Sequence, residues 1–298
     1  MLEFKTPEID DKVWVDKCLK HAKNMNCEYT FGNLYIWSTA YSTQICHYKD
    51  FMICRWGKGD DINYSLPIGQ GDFTDAVNQI IADAKSQGVK PVIYGITSTY
   101  LTMLKEAFLG KFTYELDDDT FDYIYSTEKM ANLVGKKYHA KRNHINNFKK
   151  NNPDWQFEEI NINNISDCIS FHTDWIRDKD TDSDDSDYSF EFEAVLCAFE
   201  HFERLNLKGG LIRVNGKVIA YTLGEEQSEK CFVSHFEKAQ ADIQGAYAII
   251  NQEFTKNCLA TYTYVNREED LGIDGLRKAK QSYYPEILLE KHTATYID

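Results

Sequence analysis

The 298-residue chain carries 33 Lys and Arg against 47 Asp and Glu, a net charge of −14, with 43% hydrophobic residues and only 5 Pro. This composition excludes a disordered, collagen-like or low-complexity chain. The acidic balance excludes a protein that binds nucleic acid over its whole surface, so any phosphate recognition must come from a local basic patch. The eight cysteines are scattered among apolar neighbours with no Cys/His spacing suited to a metal, which predicts reduced buried thiols and no metal site. There is no basic-then-apolar leader pattern, and no apolar run approaches the roughly 20 residues of a membrane span. The expectation is a cytoplasmic protein without a transmembrane segment.

In chain order, the apolar spacing predicts helices over residues 10–24 and 34–41, then strands over 51–56 and 63–67 around the turn Gly57-Lys-Gly-Asp-Asp61. A helix follows over 73–87, with Phe73, Val77, Ile80, Ile81 and Ala84 at helical spacing, then a strand at 92–96 and a helix from Ser98 to about 109. Strands at 112–116 and 121–125 flank Asp117-Asp-Asp119. The second half predicts helices over 165–177 and 190–206. A hairpin over 211–214 and 218–225 turns at Asn215-Gly216, where both residues suit a positive φ. A strand at 231–238, a helix at 243–258, a strand at 262–265, a helix at 272–283 and a strand at 287–296 complete the chain.

Both halves therefore run in the same element order, which reads as a tandem duplication. The expected architecture is α/β (α+β), each copy a mixed twisted sheet with helices on both faces. The expected boundaries are 1–126, a helical connector at 127–151, and 152–298.

Four stretches carry chemistry-bearing residues. In Val233-Ser-His-Phe-Glu-Lys238, strand alternation puts His235 and Glu237 on one face as a proton-transfer pair. In Asp242-Ile-Gln-Gly245-Ala-Tyr247, a glycine at a helix start lets an anion approach backbone N–H groups, although Asp242 competes for the same positive end. After Asn266-Arg-Glu-Glu-Asp270, helical spacing puts Leu276, Ala279 and Tyr283 on an apolar stripe and directs Arg277 and Lys280 the same way. From Glu128 to Lys150 there are seven Lys or Arg against one Glu, a local reversal of charge. The acidic run from Asp180 to Asp187 imitates a calcium loop, but Asp185 occupies the position that needs glycine, so it reads as a solvated loop.

These segments resemble bacterial proteins similar to the C-terminal domain of phosphatidylglycerol lysyltransferase. The resembling residues are Phe121-Asp-Tyr-Ile-Tyr125, Gly135-Lys-Lys-Tyr-His139, Lys141-Arg-Asn-His144, His235-Phe-Glu-Lys-Ala239, Gly245-Ala-Tyr247, Asn266-Arg-Glu-Glu-Asp-Leu-Gly272 and Gly275-Leu-Arg-Lys-Ala-Lys280 with Ser282-Tyr283; Pro67-Ile-Gly69 extends the likeness into the first half. The resemblance implies two tandem GNAT-like acyltransferase domains. It also implies transfer of an acyl or aminoacyl group, from aminoacyl-tRNA or acyl-CoA, to an amine or hydroxyl.

On that footing the active site is expected in the C-terminal domain, since the first half shows no donor loop near Phe73. Glu237 is the expected general base, assisted by His235, and Tyr283 the general acid. Gln244, Gly245, Ala246, Arg267, Arg277 and Lys280 are expected to hold the donor, and Lys141 and Arg142 to contact tRNA. No permanently bound cofactor is expected, and the acceptor is expected to be a small molecule or peptide. The alternative is a non-catalytic tandem GNAT-like module that binds acyl-CoA, a nucleotide or tRNA.

Overall fold

Strands rich in Ile, Val, Phe and Tyr, the central ones buried on both faces, build two seven-stranded sheets in the computed structural model, which describes residues 2–180 and 186–297. The acidic run around 181–185 lies outside the described residues. The strands are β1 (Gln44–Tyr48), β2 (Phe51–Trp56), β3 (Asn63–Ser65), β4 (Ile68–Gly69), β5 (Val92–Ile96), β6 (Phe112–Leu116), β7 (Asp122–Ser126), β8 (Gln156–Glu159), β9 (Lys208–Val214), β10 (Lys217–Ser228), β11 (Cys231–Ala239), β12 (Tyr264–Asn266), β13 (Ile287–Leu289) and β14 (His292–Tyr296).

The first sheet has the order β1-β2-β3-β5-β14-β6, with β4 beside β2; the second has the order β13-β7-β12-β11-β10-β9-β8. β3 pairs with β5, and β11 with β12, in parallel, and each pair is joined by a helix, Phe73–Ser86 and Ala246–Cys258 respectively. A parallel pair needs such a crossover. The hairpin between β9 and β10 turns at Asn215 and Gly216, both at positive φ (49° and 77°), as the type I′ turn requires.

The chain's compact units are discontinuous. One comprises Met1–Tyr123, Glu269–Ala279 and Leu288–Asp298; the other comprises Ile124–Glu268 and Lys280–Ile287. Linear boundaries at 126 and 152 do not describe this division. The reason lies in the strands. β7 follows β6 in sequence but pairs with β12 of the second sheet, whereas β14 follows β13 but inserts between β5 and β6 of the first. The single strand expected over 287–296 is thus two strands in different sheets. Hydropathy cannot reveal this, because a strand with one buried face satisfies either sheet equally.

In the first unit, Ile53, Tyr64, Leu66, Ile68, Ile93 and Ile96 are fully buried, and the helix Phe73–Ser86 adds Val77, Ile80 and Ala84 to that core. Asp72 caps this helix by accepting from the Asp75 N–H. Lys291, just before β14, is also buried. Its ammonium lies 2.8 Å from Asp122, 3.4 Å from Glu28, 3.8 Å from Glu269 and 3.5 Å from the Cys27 thiol.

In the second unit, Tyr221 of β10 meets Phe171 and Phe199 at ring distances of 6.0 and 5.5 Å, while Phe232 of β11 meets Phe254 at 5.7 Å. The helices Ile165–Asp180 and Ser186–Glu200 supply the first contacts and Ala246–Cys258 the second, so helices cover both faces of the sheet. β1, β4 and β8 have no counterpart among the predicted strands. β1 and β8 lie at sheet edges and β4 is a two-residue strand beside β2, so all three are short and carry little periodic signal.

Candidate functional site

β11 pairs with β12 only through Cys231, Phe232 and Val233. Past Val233 the two strands part, and the remainder of β11 runs beside β10 alone. A bulge accompanies the parting: Leu223 opposes Phe236 and Gly224 opposes Ser234, which leaves His235 as the extra residue. The bulge breaks the alternation that was expected to put His235 and Glu237 in one proton-transfer pair.

The two residues go to separate partners. His235 is buried, its Nε2 3.0 Å from Glu225 and its Nδ1 2.8 Å from Glu268. Burial works against the imidazolium, but the hydrogen bonds to Glu225 and Glu268 prevail and raise His235 to about 9. Both ring nitrogens are occupied, so His235 does not assist Glu237. Glu268 sits at φ +58°, held there by a 2.7 Å bond from its own N–H to the Asn266 side chain.

Glu237 projects into a second cluster. Arg267 Nη2 donates to both carboxylate oxygens at 2.9 and 3.0 Å, and Asn251 donates to Oε1 at 2.9 Å. The Arg267 guanidinium stands over two rings, 5.6 Å from the centre of Tyr125 and 5.1 Å from that of Tyr283. Lys141, from the helix His139–Asn151, places Nζ 3.9 Å from the Tyr283 ring centre. Burial and then the Arg267 charge depress Lys141 to about 8, with Glu237 opposing the shift. Burial raises the Tyr283 phenol above its usual range, so it is protonated at neutral pH. Among the described residues no hydrogen-bond partner faces the Tyr283 hydroxyl.

The remaining expected site residues fall elsewhere. Arg277 belongs to the first unit, bound to Asp270 at 2.8 Å and to Asp119, with Asp118 at 3.9 Å. Three carboxylates around one guanidinium leave it no charge for a donor phosphate, which corrects that assignment. Lys280 donates to the Arg267 and Glu268 carbonyls, so it fixes the loop that carries Arg267 instead of facing a ligand. The helix Asp274–Gln281 has no buried residue, and Leu276, expected on an apolar stripe, is exposed.

Gly245 adopts φ +89°, and a Cβ there would lie 2.5 Å from the His144 carbonyl oxygen. The turn is thus packed against the helix His139–Asn151, and the Ala246 N–H is already bonded to Ile243. Gln244 is exposed, and among the described residues the hydrogen bonds of Glu237 come from Asn251 and Arg267. These residues therefore do not form the open anion loop expected from the glycine. Arg142 donates to the carbonyls of Leu133 and Gly135, which end the preceding helix, so it stabilises a turn. Lys129 and Lys149 pair with Glu286 and Glu253, which further reduces the basic patch.

Asn251 and Tyr125 complete the cluster, and neither was singled out as a site residue. Tyr125 lies inside a segment that carried the family resemblance. Asn251 gives no sequence signal beyond being a polar residue in an apolar helix. The first unit also holds a pocket of about 440 Å³ lined by Lys23, Phe51, Gly69, Gln70, Gly71 and Tyr100 among others. It adjoins the start of the helix Phe73–Ser86, where no loop of interest was expected.

The two mixed sheets and their crossover helices define a tandem GNAT-like protein. A tandem GNAT protein from the clavulanic acid biosynthesis pathway has a similar fold, with 7% identity, a TM-score of 0.50 and coverage of 99% of this chain and 98% of that one. The chain belongs to the family described as phosphatidylglycerol lysyltransferase, C-terminal, which matches residues 20–295. A conserved protein of unknown function from Bacteroides thetaiotaomicron is 36% identical, with a TM-score of 0.94 and full coverage of both chains. The C-terminal domain of a putative lysylphosphatidylglycerol synthetase from Agrobacterium fabrum is 14% identical, with a TM-score of 0.71 over 97% of this chain and 92% of that one. An uncharacterised protein of Mycoplasmoides gallisepticum is 22% identical over 194 residues, 61% of this chain, and the match spans 58% of that protein's length. Among the described residues no helix is long and apolar enough to cross a membrane.

Proposed function

We propose that the chain is an acyl- or aminoacyl-transferase working from the Glu237–Arg267–Tyr283 cluster of the second unit. The arrangement of Glu237 carries this reading. Its Oε1 accepts from both Asn251 and Arg267, while Oε2 accepts from Arg267 alone and keeps capacity for a proton. An acceptor amine or hydroxyl placed there attacks the donor carbonyl, and Glu237 takes its proton. The bond to the leaving oxygen or sulfur breaks, and the Tyr283 hydroxyl, protonated and without a partner among the described residues, supplies the proton that the leaving group needs.

The family's name and the Agrobacterium fabrum neighbour support a lysyl or other aminoacyl ester as the donor. The Gly245 turn packed on His144 supports an ester over acyl-CoA, because a diphosphate has no open N–H cradle there. The same turn is the observation that favours the second reading, a non-catalytic binding module.

The test is Glu237→Gln in the full chain, assayed with aminoacyl-tRNA and with acetyl-CoA over a panel of amine and hydroxyl acceptors. The expected loss of turnover is roughly 10²–10⁴-fold. Unchanged turnover removes Glu237 as the base. Saturable donor binding with no turnover in the unsubstituted chain identifies the binding module.

A further inference from the structure

The cluster around Tyr283 is unbalanced in charge. Arg267 and Lys141 bring two cations to one ring, and among the described residues Glu237 is the single carboxylate hydrogen-bonded there. Glu237 is already held by Arg267 and Asn251. The charged groups that face Lys141 are Arg267, from the loop after β12, and Glu237, from β11; the phenol of Tyr283, from the segment after the helix Asp274–Gln281, lies beneath it. Lys141 Nζ has no hydrogen-bond or ion-pair partner among the described residues, although its side chain is half-buried. One nitrogen of Arg267, Nη1, is likewise buried without a hydrogen-bond partner. A half-buried cation without a counter-ion is costly, and an ion of opposite charge relieves that cost.

We propose that an oxyanion of the substrate, a phosphodiester or a carboxylate bearing one negative charge, seats against Lys141 in the joint field of Lys141 and Arg267. This deepens the transferase reading, since it names the chemistry recognised at the same site. The anion supplies the counter-charge that the cluster lacks, and its arrival strengthens the hold of Lys141 on its proton. Arg267 then shares its donors between the anion and Glu237, which loosens the Glu237 carboxylate at the moment a proton acceptor is needed. Ligand entry and activation of the base are thereby coupled.

The test follows the Cε resonance of Lys141 in full-length protein labelled with ¹³C-lysine, assigned by its absence in Lys141→Met. Without added anion, the resonance should titrate with a midpoint of about 8. Saturating dimethyl phosphate or sodium acetate should raise that midpoint by one unit or more, roughly a tenfold change in proton affinity. Neither probe titrates between pH 6.5 and 10, so the proton taken up belongs to the protein. A rise with dimethyl phosphate alone assigns a phosphodiester, and a rise with acetate alone a carboxylate. No rise with either, or an equal rise with sodium chloride at matched ionic strength, overturns the proposal. Since the readout needs no turnover, a shifted midpoint in a catalytically silent protein retains the anion site and removes the transferase reading. An unshifted midpoint in an active protein does the reverse.

Discussion

Lys141 and Lys291 are both withdrawn from water, yet their surroundings differ in sign. Lys291 in the first unit has carboxylates of Asp122, Glu28 and Glu269 within 3.8 Å, so negative charge is in excess. Burial opposes its ammonium, but those charges hold its proton well above the usual range. Lys141 in the second unit loses affinity for its proton through burial first and the Arg267 guanidinium second, with Glu237 opposing. Burial works against the ammonium in both, and the counter-charges around each nitrogen decide whether it prevails. The first arrangement is complete in itself and reads as a structural tie, whereas the second lacks an anion and reads as a site that awaits one.

Removing each ammonium breaks the comparison most directly. Lys291→Met leaves the buried Asp122 carboxylate without its cation, beside the partly exposed Glu28 and Glu269, and should cost about 3–5 kcal/mol, seen as a lower urea midpoint at an unchanged slope. A cost below about 1 kcal/mol would show that these carboxylates do not depend on Lys291.

His235 is an intermediate case, one imidazole between Glu225 and Glu268. Its folded pKa of about 9 exceeds the unfolded value, so its contribution is complete below about pH 6.5 and disappears as pH rises through 9. Urea melts over that window should show stability falling by up to about 3 kcal/mol, and His235→Gln should remove the slope. A flat profile in the unsubstituted chain would show that the imidazole is neutral already at pH 6.5. The smallest effect is expected for Lys141→Met, which removes a cation with no counter-ion. Its urea midpoint should correspond to a change within about 1 kcal/mol, in either direction. A loss comparable to that of Lys291→Met would place Lys141 among the structural ties and erase the distinction.

Much of the second unit's site was legible as residue types. Glu237, Arg267, Tyr283 and Lys141 each stood out, and the structure gathers all four. Their partners were less legible. His235 was expected beside Glu237 because strand alternation was taken as unbroken, and the bulge opposite Leu223 and Gly224 undoes that. Arg277 and Lys280 share a helical spacing, but the chain passes from one compact unit to the other between Ala279 and Lys280, and their polar groups follow different partners. Gly245 carried the right residue type for an anion loop, yet His144 occupies the space beside it, and no local pattern reports a neighbour 101 residues away.

Periodicity, turn chemistry and charge by themselves determined most of the helices and central strands, the Asn215-Gly216 hairpin and the absence of a long apolar helix among the described residues, because these depend on residues within a few positions of one another. Only the tertiary structure decided which sheet receives β7 and β14, which carboxylates surround Lys291, and that Lys141 approaches Arg267 over Tyr283. Strand exchange and charge balance are settled by contacts between segments far apart in the chain. A side chain's identity limits what it can bond to, and the fold alone determines which partner it meets.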